Sequence, residues 1–149
     1  MTLAVDFDGV IHRYSQGWRD GTIYDPPMPG AIRALRDLME YDSVFIHTSR
    51  DPHQVAAWLE DHGLAATPDD SCRTCLRNGA VPACPHCKGT GLLVFWEHRR
   101  LLLVTSRKLP ALAYLDDRAV PFRDWDQAML ALGEAVGRHA PRTPTTPQE

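Results

Sequence analysis

The sequence of 149 residues predicts an α/β fold, in which a parallel sheet carries helices on both faces. Two observations predict it. Short apolar runs typical of buried strands alternate with segments whose apolar residues recur at helical spacing. In addition, the first apolar run, residues 3–7, carries Asp6 and is followed at once by Asp8 and Gly9. Unpaired buried carboxylates are costly, so these acids are expected where a strand ends rather than inside the core.

The first half of the chain divides into five segments. Residues 3–7 are short, apolar and ended by glycine, which predicts a buried strand. Residues 11–29 lack helical periodicity and are rich in glycine and proline, which predicts a flap or hairpin. Apolar residues on one helical face predict a helix over residues 30–41. Residues 43–49 form a second apolar strand pattern. A second helix is predicted to start at Asp51 as N-cap, because proline follows at the first turn.

The second half alternates in the same way. Residues 92–104 predict two strands around a polar turn, and residues 111–115 predict another short buried strand. Residues 119–122 are interpreted as one more strand. A closing amphipathic helix is predicted near residues 125–136. We therefore predict one domain over residues 1–139, with an insertion at 64–104 and a disordered Pro- and Thr-rich tail at 140–149.

Composition limits the class of protein. The net charge of −3 and the hydrophobic content of 44% are typical of a globular domain and argue against a generally polyanion-binding surface. No secretory signal is visible before Asp6, and the run at residues 101–104 is far too short to cross a bilayer. The sequence therefore predicts a cytoplasmic protein without a membrane partner.

Polar residues follow three of the predicted strands: Asp6 and Asp8, Thr48 and Ser49, and Asp116 and Asp117. In open parallel sheets, ligands bind beyond the carboxyl ends of the strands. Carboxylates gathered there repel one another unless a cation joins them, and such oxygen ligands suit Mg²⁺ together with a substrate phosphate. The Thr48 hydroxyl and the Lys108 ammonium would bind the remaining phosphate oxygens. One aspartate would attack phosphorus while the other moves the proton.

Three stretches occur in a characteristic order, "VDFDGV", "VFIHTSR" and "SRKLPALAYLDDR". Together they resemble the four motifs of the haloacid-dehalogenase (HAD) superfamily of phosphotransferases. The resemblance covers residues 3–62 and 104–126. It implies a Rossmann-like three-layer core and Mg²⁺-dependent hydrolysis of a phosphate monoester through an aspartyl-phosphate. The chain has no room for the large helical cap of bigger members.

The resemblance also implies roles for the acids. Asp6 would be the nucleophile, and Asp8 would protonate the leaving group and later activate water. Asp6 and Asp116 would give carboxylate oxygens to Mg²⁺, and Asp8 its backbone carbonyl. Asp117 would ligate through water or orient Lys108, and these two roles stay open.

The phosphoryl group would be held by Thr48 and by Lys108, which would neutralise its charge. Backbone N–H groups around Phe7 to Gly9 would complete the cradle, where glycine permits close approach. Ser49 and Arg50, at the end of the second strand, are interpreted as substrate-binding residues. His47 is expected to be structural, and His12, which also lies near these motifs, receives no role.

The four cysteines form two C-x-x-C pairs separated by eight residues: Cys72, Cys75, Cys84 and Cys87. This spacing is typical of a structural Cys₄ zinc site. Disulfides or four buried thiols are the alternatives, and an intracellular setting disfavours the disulfides. "CPHCKGTG" also resembles one C-x-x-C-x-G-x-G repeat of the cysteine-rich domain of DnaJ chaperones, which supports zinc but not chaperone function. The segment would be either a lid beside the site or a structural support.

The predicted function is thus a Mg²⁺-dependent phosphatase acting on a phosphorylated small molecule, on a nucleotide or on a nucleic-acid end. The alternative is a catalytically inactive HAD-like scaffold whose zinc knuckle binds nucleic acid or protein. Aromatic residues of the flap would stack on the substrate or pack the flap against the domain: Tyr14, Trp18 and Tyr24. The sequence does not determine the oligomeric state.

Overall fold

A computed structural model describes residues 1–69, 84–85, 87 and 100–137. Within them lie five strands and three helices, in the order β1 (Thr2–Asp6), α1 (Ala31–Tyr41), β2 (Ser43–His47), α2 (Pro52–Asp61), β3 (Ala66–Pro68), β4 (Leu102–Thr105), β5 (Ala113–Leu115) and α3 (Trp125–Ala135). The chain forms two compact units, Met1–Asp117 and Arg118–Glu149. All five strands belong to the first unit, and α3 belongs to the second. The prediction of one domain over residues 1–139 stays a prediction.

The five strands form one parallel sheet in the order β3-β4-β2-β1-β5. The central register pairs Asp6 with His47, and His47 with Thr105. On the other side of β1, Val5 pairs with Leu115. The carboxyl ends of β1, β2, β4 and β5 therefore meet along one edge of the sheet. The predicted parallel α/β fold is confirmed.

One face of the sheet carries the main core. Its strand residues alternate with residues of the opposite face, as the pleat requires. The buried residues on this face include Val5, Val44, Ile46, Leu102 and Val104 from the sheet, Leu35 and Met39 from α1, and Val55, Ala56 and Leu59 from α2. Both α1 and α2 thus cover the same face of the sheet.

The opposite face packs differently. Ala4, Phe45 and Leu103 are buried there against the segment at Leu109 and Ala111 and against the Tyr114 ring. The described part of the first unit places no helix in this cluster. A helical layer on the second face therefore stays a prediction.

Local sequence explains the helix starts. Asp51 caps α2, and its carboxylate accepts a hydrogen bond from the N–H of His53 at 3.0 Å, with Pro52 at the first helical position. Asp124 caps α3 in the same way through the N–H of Gln127, at 2.9 Å. The predicted N-cap at Asp51 is confirmed.

The flap, defined as residues 11–29, folds back on itself at the carboxyl edge of β1. The N–H of Met28 donates to the carbonyl of Ile11 at 2.7 Å, which closes its base. Higher up, the Tyr24 hydroxyl donates to the carbonyl of Gly17 at 2.7 Å. The lack of helical periodicity in this segment correctly indicated a non-helical element.

One predicted strand is absent from the structure, one observed strand has no counterpart in the prediction, and one predicted strand lies outside the described residues. β3 was not anticipated: it is three residues long and ends at Pro68, which a sheet tolerates on an edge strand. Residues 119–122 were predicted as a strand, which is wrong, since they contain no regular element. The first of the two strands predicted in 92–104 falls outside the described residues, whereas the second corresponds to β4. No helix in the described part of the chain has the length and apolar character needed to span a bilayer.

Candidate functional site

Three carboxylates converge at the carboxyl edge of the sheet. Asp6 ends β1, while Asp116 and Asp117 directly follow β5. Since Val5 pairs with Leu115, the acids that follow these two residues come together. Among the described residues, carboxylate oxygens of these three aspartates all lie within 4.8 Å of one another. Sheet order thus assembles from distant parts of the chain the acids that the sequence placed at strand ends.

The environment of Asp6 disfavours its charged form. Burial, followed by the charges of Asp116, Asp117 and Asp8, raises the pKa of Asp6 from 3.8 to about 6, against a lowering hydrogen bond from the Phe7 N–H. A bound cation would remove this repulsion. The cluster contains only carboxylate oxygens, of which Asp116 and Asp117 are exposed to solvent. These donors therefore fit Mg²⁺, which prefers oxygen ligands and retains several waters.

Gly9 allows the cluster to close. Its φ of +85° lies in the left-handed region, and a Cβ placed on it would lie 2.4 Å from Oδ2 of Asp117. Only glycine leaves room for that carboxylate. The backbone N–H of Gly9 donates to the carbonyl of His12 at 2.8 Å, so it is engaged within the protein. Phe7, the other end of the predicted cradle, has a fully buried side chain.

Asp8 is held differently from Asp6. Its Oδ1 accepts a hydrogen bond from Nδ1 of His12 at 2.8 Å. Its Oδ2 accepts one from Nε of Arg50 at 2.7 Å, across 42 residues of sequence. Both oxygens of the Asp8 carboxylate are thus engaged, and Asp8 is not one of the three acids whose oxygens converge.

His12 is a site residue for which the sequence predicts no role. Its side chain is 0% exposed, and its Nε2 accepts a hydrogen bond from the N–H of Asp25 at 3.0 Å. That contact assigns the imidazole proton to Nδ1, which donates to Asp8. The separation of four residues between Asp8 and His12 was the only sequence signal that could have indicated the contact.

Arg50 is buried between Asp8 and the flap. Its Nη1 donates to the carbonyl of Gly21 at 2.7 Å, and its guanidinium carbon lies 5.1 Å from the centre of the Trp18 ring and 5.7 Å from that of Tyr14. Nη2 is buried and has no hydrogen-bond partner among the described residues. Contact of Arg50 with substrate stays a prediction. Two flap aromatics pack on this side chain.

Thr48 and Ser49 follow β2 at the same edge. Thr48 is buried, and its hydroxyl oxygen accepts the N–H of Arg50 at 3.1 Å, which leaves the hydroxyl proton for another acceptor. Ser49 is exposed to solvent. Lys108 is exposed as well, and its ammonium lies 5.3 Å from the centre of the Tyr114 ring. Tyr114 precedes Asp116 by two residues. His47 also contacts Tyr114, at 5.8 Å between ring centres, on the face opposite the main core.

A second polar cluster joins the ends of β3 and β4. Asp69 accepts hydrogen bonds from Nε and Nη2 of Arg107, at 2.6 and 2.8 Å, and from the Thr105 hydroxyl at 2.5 Å. Burial acts to raise the pKa of Asp69, but the hydrogen bonds and the charge of Arg107 outweigh it and lower this pKa. The pair joins the carboxyl ends of β3 and β4, which lie side by side in the parallel sheet.

Two of the four predicted zinc ligands belong to the described residues. Cys84 and Cys87 are 1% and 0% exposed. Cys72 and Cys75 lie outside the described residues, as does most of the predicted insertion at 64–104. The Cys₄ zinc site therefore stays a prediction.

The fold and this site define a parallel α/β protein with an acidic cluster at the carboxyl edge of its sheet. Comparison with known proteins finds no matching family profile, no significantly similar curated protein and no significantly similar solved structure.

Proposed function

We propose that the protein is a Mg²⁺-dependent phosphatase of the HAD type, which hydrolyses a phosphate monoester through an aspartyl-phosphate. The observation that carries this proposal is the convergence of Asp6, Asp116 and Asp117 within 4.8 Å, beside the buried Thr48. Phosphoryl transfer needs little covalent help beyond in-line attack and neutralisation of the phosphoryl oxygens. An acidic cluster that binds a cation, with the Thr48 hydroxyl at the same edge of the sheet, would supply both the attacking carboxylate and the neutralising charge.

In the first step, a carboxylate oxygen of Asp6 attacks phosphorus and the bond from phosphorus to the leaving oxygen breaks. The proton on Asp8 passes to that leaving oxygen. In the second step, Asp8 takes a proton from water, and the resulting hydroxide attacks phosphorus. The bond to Asp6 breaks, inorganic phosphate leaves, and both aspartates return to their starting states.

The metal would be held by Asp6, Asp116 and Asp117 and by the backbone carbonyl of Asp8, and when bound it supplies charge neutralisation at the phosphoryl oxygens. Thr48 donates its hydroxyl proton to a phosphoryl oxygen. Lys108 contributes a positive charge from the segment after β4. The predicted contacts of Ser49 and Arg50 belong to the same proposal. So does the predicted backbone cradle from Phe7 to Gly9, in which the N–H of Gly9 would have to leave the carbonyl of His12 to reach the substrate.

The cysteines complete the proposal with a structural zinc. Cys72, Cys75, Cys84 and Cys87 would supply four thiolates, which select zinc, whereas the aspartates select magnesium. Burial of Cys84 and Cys87 supports this, since a closed structural site excludes water. Nucleotides, other small phosphate esters and nucleic-acid ends are the substrate classes to be screened.

The decisive experiment measures release of 4-nitrophenol from 4-nitrophenyl phosphate with and without Mg²⁺. Wild type should be active only with Mg²⁺, and Asp6→Asn should lose activity by at least about a thousandfold, because it removes the nucleophile. Asp37→Asn, which removes an exposed carboxylate on α1, is the matched control and should retain full activity.

An inactive scaffold is the competing function. Purified protein that stays inactive on a broad panel of phosphate esters with Mg²⁺, yet binds oligonucleotides through residues 72–87, would favour the scaffold. Full activity in Asp6→Asn would rule out the aspartyl-phosphate route.

A further inference from the structure

We propose that His12 and Arg50 are positioning residues that hold the carboxylate of Asp8 in one plane, and that the flap holds both of them in place. The inference rests on the proposed function, in which Asp8 gives a proton to the leaving oxygen. It adds a positioning role for His12 and Arg50 to that reaction, and neither residue touches the reacting atoms in this role.

The contacts on Asp8 restrict its rotation. A carboxylate held at one oxygen still turns about its Cβ–Cγ bond. Here His12 Nδ1 donates to Oδ1 at 2.8 Å and Arg50 Nε donates to Oδ2 at 2.7 Å, from two separate segments of the chain. Each oxygen keeps a further lone pair that can carry a proton. The direction of that lone pair is therefore fixed relative to Asp6, which lies two residues away on the same strand end.

Both donors are themselves fixed by the flap. The N–H of Asp25 occupies Nε2 of His12, which keeps the imidazole proton on the side of Asp8. The carbonyl of Gly21 accepts from Nη1 of Arg50 at 2.7 Å. The orientation of Asp8 thus depends on two backbone groups of the flap.

The donors are also shielded from water. The imidazole of His12 stacks on Phe7 at 5.5 Å between ring centres and meets Tyr24 edge-on at 5.1 Å. The Arg50 side chain is 1% exposed and lies under Trp18. Hydrogen bonds in such surroundings do not compete with solvent, so they hold their geometry more firmly than exposed ones.

This role predicts a dependence on the leaving group. An alkoxide leaves only with a proton, whereas 4-nitrophenolate is stable without one. Loss of orientation at Asp8 should therefore lower kcat/KM for an alkyl phosphate and leave kcat/KM for 4-nitrophenyl phosphate nearly unchanged. General acid catalysis contributes about 100- to 10,000-fold, and misorientation removes part of it.

The experiment compares His12→Phe with His12→Asn on glycerol 2-phosphate and 4-nitrophenyl phosphate. Both variants remove the acceptor for Asp25, but only asparagine keeps an N–H near the position of Nδ1. His12→Phe should lower kcat/KM on glycerol 2-phosphate by about 10- to 100-fold, which is a part of the general-acid contribution. On 4-nitrophenyl phosphate the same variant should lower kcat/KM by less than about threefold. His12→Asn should recover most of the loss. His62→Phe is the control, because His62 packs on the same Trp58 ring as His12, at 4.0 Å between ring centres for His62 and 6.1 Å for His12. This control variant should change the rate on neither ester.

Equal losses on both esters in His12→Phe, with no recovery in His12→Asn, would make His12 merely structural and overturn the inference while the phosphatase proposal stands. Should His12→Phe fail to fold, His12→Leu replaces it. Nitrogen NMR of wild type supplies a readout free of activity: it should show the proton of His12 on Nδ1, and a proton on Nε2 would overturn the inference. A wild type that is inactive on both esters would overturn the proposed function and this inference with it.

Discussion

Asp6 shows at the residue scale how a site can oppose stability. Asp6 is the last residue of β1 and lies at the edge of the core. Burial together with three nearby carboxylates raises its pKa to about 6. The ordinary value is 3.8, so the folded protein binds this proton more tightly than the unfolded chain does. The associated stability is complete below pH 3.8 and is lost as the pH rises through about 6.

The first prediction follows from that sign. In magnesium-free buffer above pH 7, Asp6→Asn should be more stable than wild type by about 1–2 kcal/mol, after allowance for the partial exposure of the group. Near pH 4 the difference should nearly vanish. Urea unfolding at both pH values measures it. Added Mg²⁺ should stabilise wild type and not the variant.

Asp37→Asn provides the comparison, because its carboxylate is exposed on α1. It should change stability little at either pH. An Asp6→Asn variant that is less stable than wild type at pH 7 without magnesium would show that the site is not a strained cluster of like charges.

Gly9 supports a second prediction at the same scale. Gly9→Ala should lower the free energy of unfolding more than Gly17→Ala does, although both positions have positive φ, +85° and +67°. Both substitutions should lower the free energy of unfolding by about 1–2 kcal/mol, because alanine disfavours a left-handed backbone conformation. Gly9→Ala also forces a Cβ against Oδ2 of Asp117, whereas nothing lies within 4 Å at Gly17. Urea unfolding of both variants measures the difference, and equal costs would mean that Asp117 does not lie against Gly9.

At the scale of elements, the ends of β3 and β4 are joined by Asp69 and Arg107. β3 is a three-residue edge strand, so its place in the sheet depends on few backbone hydrogen bonds. The Asp69 side chain is 6% exposed and that of Arg107 48% exposed, which leaves the pair partly screened by water. Bidentate geometry compensates for some of that screening.

The third prediction is a coupling energy of about 1 kcal/mol between Asp69 and Arg107, in a double-mutant cycle with Asp69→Asn and Arg107→Gln. Urea unfolding measures each corner of the cycle. The pair between Arg33 and Asp37 on α1, at 3.8 Å and largely exposed, is the control and should couple by only a few tenths of a kcal/mol. Equal coupling in the two pairs would mean that the pair does not fasten β3 to β4.

The whole molecule is expected to hold two chemically different metals. The proposed Cys₄ site would contribute folding free energy, about 10 kcal/mol or more in isolated zinc fingers, so zinc should survive dialysis. Magnesium, held by carboxylates and water, should not. Dialysis should therefore distinguish the two ions, as their ligand types do.

The fourth prediction is about one zinc per chain in freshly purified, reduced protein, measured by elemental analysis. Cys84→Ser should lower the zinc content while the parallel sheet stays folded, and Ser71→Ala, beside Cys72, should leave the zinc content unchanged. Protein without zinc would exclude the Cys₄ site.

Much of the fold followed from local patterns. The ends of β1 and β2 and the start of α2 lie within about two residues of their predicted positions, because apolar runs, an N-cap and a proline act locally. Prediction failed at two places. β3 is too short to leave a pattern, and in residues 119–122 the strand preference of Val120 and Phe122 is opposed by Pro121, which cannot donate a hydrogen bond to a sheet.

The sequence by itself determined that acids stand at strand ends, because burial of a charged side chain forbids them inside a strand. Only the tertiary structure decided which acids meet. Placement of β5 beside β1 brings Asp116 and Asp117 to Asp6, a pairing that no local pattern encodes. In the same way, Arg50 reaches Asp8 across 42 residues because β1 and β2 are neighbours in the sheet. Local energetics places residues along the chain, whereas strand order, which depends on contacts across the whole sheet, places them beside one another.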